Sequence, residues 1–205
     1  RILPGAYTLK MTKNDKTYTA KLNVVLDPRA AFTVADRKAQ FDLVTRLAGL
    51  LNHMSWAVDA MIGVRDDAAD RTAKLAAGDP FRAKLADLAA AADALRTQVV
   101  ATKEGGAITG EERLREFLAG LYGDVSAYEG KPTASQLERA DALGRELDDV
   151  IRKFTELTGA RLSAVNQELQ AKKLAAIRPV VEDEWRKSHA DELPSYQPRP
   201  GIPLY

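Results

Sequence analysis

The feature that most limits what this chain can become is a change of period at Asp27-Pro28. From Tyr18 to Leu26 apolar and polar side chains alternate, and beyond Asp27-Pro28 the apolar residues recur every third or fourth position almost to the end. A period of two belongs to a half-buried strand, and one near 3.6 to an amphipathic helix. Residues 6–12 also alternate, and Lys13-Asn-Asp-Lys16 supplies turn residues between the two runs. The expectation is a β-hairpin leading into a helical protein. A lone hairpin is marginal in water because both edges and one face lack cover. Its partners are therefore expected upstream of Arg1, or on the helices. Arg1-Ile-Leu-Pro-Gly5 has neither a signal-peptide layout nor an initiator Met, so Arg1 reads as a cut inside a longer chain.

The helical part is punctuated clearly. Thr33 with Asp36 suits a helix start, and the first helix carries Phe41, Leu43, Val44, Leu47, Leu50, Leu51, Met54, Val58, Met61 and Ile62. Gly78-Asp79-Pro80 stops that helix and starts a second, whose Phe81, Leu85, Leu88, Ala92, Leu95 and Val99 form a one-sided stripe. After the glycine-rich 104–110 stretch, Thr109 with Glu112 reads as a capping box for a third helix. Thr133 with Gln136 opens a fourth, which runs to about Ile177. The first and fourth helices are each about forty residues, roughly 60 Å, and the second and third about half that.

These lengths predict a mainly α fold, an elongated antiparallel bundle in which two long helices enclose two short ones, with an N-terminal β-hairpin. The expected segments are the hairpin at 1–29, an up-down-up-down four-helix bundle with a two-helix stalk at 30–178, and a charged turn with a proline-rich extended tail at 179–205. On the stalk, beyond the reach of the short helices, Phe41, Leu43, Val44, Leu47, Leu50 and Leu51 make a stripe wider than helix four alone can cover. These six are the candidate interaction surface, to be covered by the tail, the sheet or another protein chain.

Reactive chemistry is sparse. There is no cysteine, and the two histidines, His53 and His189, have no metal-binding spacing and read as structural or solvent-exposed. Acidic neighbours such as Asp66-Asp67, Asp148-Asp149 and Glu182-Asp183-Glu184 read as solvated helix surface, since adjacent residues on a helix diverge by about 100°. Thirty basic against 29 acidic residues, interleaved, leave no footprint for nucleic acid. No apolar run approaches the roughly 20 residues that would span a bilayer. The sequence names no catalytic, cofactor or metal residue. Trp56, Tyr122, Phe154 and Phe117 fall on apolar helix faces and read as core. Arg199-Pro-Gly-Ile-Pro203 has the spacing of a proline-reading ligand, though packing along its own domain is the simpler reading.

Several short motifs resemble one family. Pro4-Gly-Ala-Tyr-Thr-Leu9, Lys16-Thr-Tyr18 and Val24-Val-Leu-Asp-Pro-Arg29, followed by a long helix, are similar to the C-terminal region of large secreted bacterial proteins with sortilin-like or sialidase-type (BNR-repeat) β-propellers, often described as glycosyl hydrolases. Leu118-Ala-Gly-Leu-Tyr-Gly-Asp-Val125, Lys131-Pro-Thr-Ala-Ser-Gln136 and Leu162-Ser-Ala-Val-Asn-Gln-Glu-Leu169 resemble that family's helical end. The likeness covers residues 4–177, and the chain departs from it beyond Ile177. It implies that the hairpin is the end of a β-sandwich and that the helices form a non-catalytic accessory module. The implied partners are the propeller and sandwich of its own chain, with self-association through the stalk, in the periplasm or outside the cell. The propeller, where hydrolytic residues would lie, is absent, so the resemblance transfers no site residue. The alternatives are an independent adaptor that binds a partner protein through bundle or tail and, more remotely, part of a glycoside hydrolase.

Overall fold

The computed structural model describes residues 2–103 and 110–190. Thr109, most of the glycine-rich stretch and the proline-rich end with its Pro-x-x-Pro spacing lie outside the described residues. The chain is mainly helical with an N-terminal hairpin. Strands β1 (Gly5–Lys13) and β2 (Lys16–Val24) pair antiparallel from Gly5 opposite Val24 to Lys13 opposite Lys16. The turn between them is Asn14-Asp15, with φ of 47° and 60°. Two consecutive left-handed residues make the turn whose twist matches paired strands, and Asn and Asp are the non-glycine residues that tolerate that conformation best. Asp27 then accepts hydrogen bonds from the backbone and guanidinium of Arg29, which fixes the bend into the helices.

Among the described residues six helices follow: α1 (Val34–Ala73), α2 (Phe81–Val99), α3 (Leu114–Ala127), α4 (Ala134–Glu156), α5 (Leu162–Ala171) and α6 (Glu182–Ser188). The expected caps of α1 and α4 are in place. The Asp36 N–H donates to the Thr33 hydroxyl while the Asp36 carboxylate accepts from the Thr33 N–H, and Thr133 and Gln136 reciprocate in the same way. Asp79 accepts from the Phe81 N–H at 2.9 Å and starts α2. The third helix begins later than a box at residues 109 and 112 requires: it opens at Leu114, and Glu116 accepts from the Arg113 N–H.

The residues fall into two compact units, 1–49 with 117–143 and 50–116 with 144–205. The two short helices were expected side by side between the long ones. Instead α2 belongs to the second unit, and α3 from Phe117 onward to the first.

The first unit is organised around Gln40, only 2% exposed. Its side-chain amide donates to the carbonyls of Val125, at 2.6 Å, and Tyr128, and its oxygen accepts from the guanidinium of buried Arg37. The last carbonyls of a helix have no partner within it, so α1 supplies one for α3. Leu43, Leu47, Leu118, Val125 and Leu143 are buried in this unit, and Arg46 pairs with Asp141 at 2.5 Å.

In the second unit the stripe of α1 continues through Met54, Ala57, Met61, Val64 and Ala68. Leu85 and Leu88 of α2, Leu147 and Phe154 of α4, and Leu169 of α5 are buried with it. Arg65–Asp93 at 3.1 Å ties α1 to α2, and Lys84–Glu168 at 2.8 Å ties α2 to α5. The fourth helix was expected to run unbroken to Ile177. It is interrupted by a π-turn at Leu157–Arg161, where Gly159 leaves helical geometry with ψ −116°, and it ends at Ala171. Lys173 adopts a left-handed φ of 59°, which lets the Leu174 N–H donate back to the Leu169 carbonyl at 2.9 Å. From there the chain returns in extended form, because the Asn166 side chain accepts from the N–H of Ile177 and donates to its carbonyl.

Two stability effects follow. Gln40→Leu adds apolar surface but strands Arg37 and two carbonyls, so urea denaturation should show a loss of about 1–3 kcal/mol. Lys173→Gly removes a left-handed non-glycine residue and should raise stability by about 0.5–1 kcal/mol in the same assay.

Candidate functional site

In the second unit a cluster of aromatic and ionisable side chains joins the middle of α1 to the segment that follows α5. Along α1, His53, Trp56 and Asp59 are spaced three apart and share one face. Glu182 and Trp185 of α6 are likewise three apart, His189 caps the helix four residues beyond Trp185, and the helix is acidic in its first turn and basic in its last, as its dipole favours.

The contacts alternate. His53 Nδ1 lies 2.9 Å from Glu182 Oε2, the Trp56 indole N–H donates to the Val180 carbonyl at 2.9 Å, and the Trp185 indole N–H donates to Asp59 Oδ2 at 2.6 Å. His53 stacks on Trp56 with ring centres 5.2 Å apart, and Trp185 stacks on His189 at 4.4 Å. Trp185 is 5% exposed. A helix of seven residues has almost no stability of its own, so these pairings are what hold α6 in place.

Burial alone would raise the carboxyl of Glu182. Hydrogen bonds and charge from Arg186 and His53 outweigh it and hold the group below its ordinary value of 4.5. Chemically the site is a clasp. His53 contacts a carboxylate and an indole and shares no hydrogen bond with a hydroxyl among the described residues, which a nucleophilic mechanism would need. No group of three or more His, Asp or Glu among the described residues is arranged to hold a metal ion.

The stripe singled out from the sequence does not appear as one open surface. Leu43 and Leu47 are buried, whereas Phe41, Val44, Leu50 and Leu51 are half-buried. The expectation that the short helices cannot reach this stretch fails, because α3 returns as far as Gln40.

The larger exposed apolar surface is on the hairpin. Tyr7, Leu9 and Met11 of β1 stand opposite Leu22, Ala20 and Tyr18 of β2, all on one face. Leu9 is 53% exposed, Met11 58%, Tyr18 52% and Leu22 40%. The other face carries Thr8, Lys10, Thr17, Thr19 and Lys21. Among the described residues the sheet has two strands only, so neither outer edge is paired.

Comparisons with protein-family models, with curated proteins and with solved structures find no match for this chain.

The Glu182 carboxyl sets a pH dependence. A carboxylate held below its unfolded value stabilises the clasp above pH 4.5, and that stabilisation is lost as pH falls through the lower folded value. Hydrogen exchange of the Trp185 indole proton, corrected for its intrinsic rate, should accelerate across that acid window in the native chain. In Glu182→Gln it should be faster at neutral pH and show no such acid step.

Proposed function

We propose that this chain is a non-catalytic helical interaction module whose hairpin seats its apolar face on further β-structure of a larger exported protein. In the form the sequence resemblance gives it, the helices are an accessory to a β-propeller and position it or mediate association. One observation carries the reading: Leu9, Met11, Tyr18 and Leu22 form a contiguous apolar face open to solvent, on a sheet with two free edges. Exposed apolar patches of a few hundred Å² mark contact sites, and unpaired strand edges invite another strand.

The sparse reactive chemistry supports the non-catalytic half of the reading. The resident histidine–carboxylate pair serves to fasten α6. The acidic neighbours engage in surface ion pairs such as Arg152–Asp149 and Arg65–Asp66, which are worth little individually and are common on solvated helices.

Leu9 and Leu22 are exposed, so replacing both by Thr keeps strand propensity and leaves the helical core untouched. Light scattering over a concentration series should show the native chain self-associating through the open face and the Leu9→Thr, Leu22→Thr variant remaining monomeric with an unchanged helical melt. Equal, monomeric masses together with equal binding of an apolar dye would remove the contact face. Turnover in a glycoside-hydrolase screen that disappears on exchange of a single carboxylate would sink the non-catalytic assignment.

A further inference from the structure

The break at Gly159 and the left-handed stop at Lys173 make a groove of about 670 Å³ in the second unit, between one side of α5 and the returning segment 174–179. Its size falls within the roughly 300–1,000 Å³ of small-molecule sites. Leu162 and Ile177 are buried beneath it, and Leu174 and Ala176, half-buried, give its lining accessible apolar surface. The Asn166 amide fixes Ile177 from both its N–H and its carbonyl, so the wall formed by the return segment is held in position.

The remaining lining is chemically one-sided. Ser163, Gln167 and Gln170 are spaced on one face of α5 and exposed, and their side chains have no hydrogen-bond partner among the described residues. Arg178 on the opposite wall is exposed and has no carboxylate partner among the described residues. Among the described residues no Asp or Glu lines the groove. Amide and hydroxyl side chains can donate and accept, which matches the alternating N–H and C=O of a peptide, whereas a guanidinium only donates and takes a carboxylate. Acidic side chains, which would repel such a ligand, are confined to the outside: Glu168 faces Lys84, and Glu156 pairs with Arg152.

We propose that this groove binds a short peptide ending in a free carboxylate. The carboxylate lies on Arg178, the peptide backbone is read by Ser163, Gln167 and Gln170, and a small apolar side chain rests against Leu174 and Ala176, which are half-buried in the lining. The site lies within the second unit and does not depend on the hairpin, so it stands or falls separately from the proposed docking face.

The experiment is an amide and side-chain chemical-shift titration of the full chain with N-acetyl-trialanine bearing a free carboxylate. The comparison ligands are the same peptide closed as a C-terminal amide, and sodium acetate. Each is taken to about 10 mM, above the millimolar Kd expected of a small ligand in an open groove. Shifts should concentrate at Ser163, Gln167, Gln170 and Arg178. Binding should weaken about three-fold for the amidated peptide and by a similar factor in Arg178→Ala, the size of effect an exposed ion pair supports. Gln170→Glu should weaken it further by repulsion. All the altered residues are exposed, and unchanged shifts elsewhere verify that each variant is folded. Absence of localised shifts with the acid peptide overturns the proposal. So do equal shifts from acid and amide, equal shifts from acetate alone, or indifference to both substitutions.

Discussion

The burial of a single stripe along α1 underlies the helical part of this chain. Leu43, Leu47, Met54, Ala57, Met61, Val64 and Ala68 are each no more than 3% exposed, at spacings of three, four and seven that keep one line on a helix. Helices α2, α3, α4 and α6 are each tied to α1 by polar contacts. The end of α3 is anchored at Gln40, one turn before it begins, and Asp141 of α4 pairs with Arg46. Farther along, Asp93 of α2 pairs with Arg65, and α6 is fastened through Trp56 and Asp59. Burying side chains of Leu size is worth roughly 1.5–3 kcal/mol each, against about 1 kcal/mol for a typical hydrogen bond. The stripe therefore supplies the cohesion, and the polar contacts decide which segment sits where.

That division explains what the sequence shows and what it hides. Helix starts are written locally: a hydroxyl at Thr33 or Thr133 and an acceptor three residues on is enough, and both helices begin there. The hairpin is equally local, since its register follows from a two-residue turn and a period of two. The end of α5 is not local. No glycine or proline marks residues 171–174, the apolar spacing runs on through Leu174 and Ile177, and the helix stops only because Lys173 turns left-handed and Asn166 captures Ile177. A residue that breaks the usual rule for left-handed positions is invisible to a reading based on that rule.

The clasp was hidden for a different reason. His53 and Glu182 are far apart in the chain, and each looks unremarkable alone, one as an isolated imidazole and the other as part of an acidic run. The usable signal was the matching three-residue spacing of His53, Trp56 and Asp59 with that of Glu182 and Trp185, on helices whose remaining faces were already accounted for. Placement of the short helices failed on topology rather than periodicity. Lengths alone do not say which stretch of α1 a half-length helix belongs with, and the contacts of Gln40 with Val125 and Tyr128 bring the end of α3 into the first unit.

Trp56 and Trp185 are the only tryptophans in the chain, and both sit in the clasp. Indole emission from this protein is therefore a local signal. It reports whether a seven-residue helix is seated on α1, while far-ultraviolet circular dichroism reports the helices as a whole. The two transitions need not coincide, and the gap between them measures how far the fastening of α6 is separable from the cohesion of the α1 stripe.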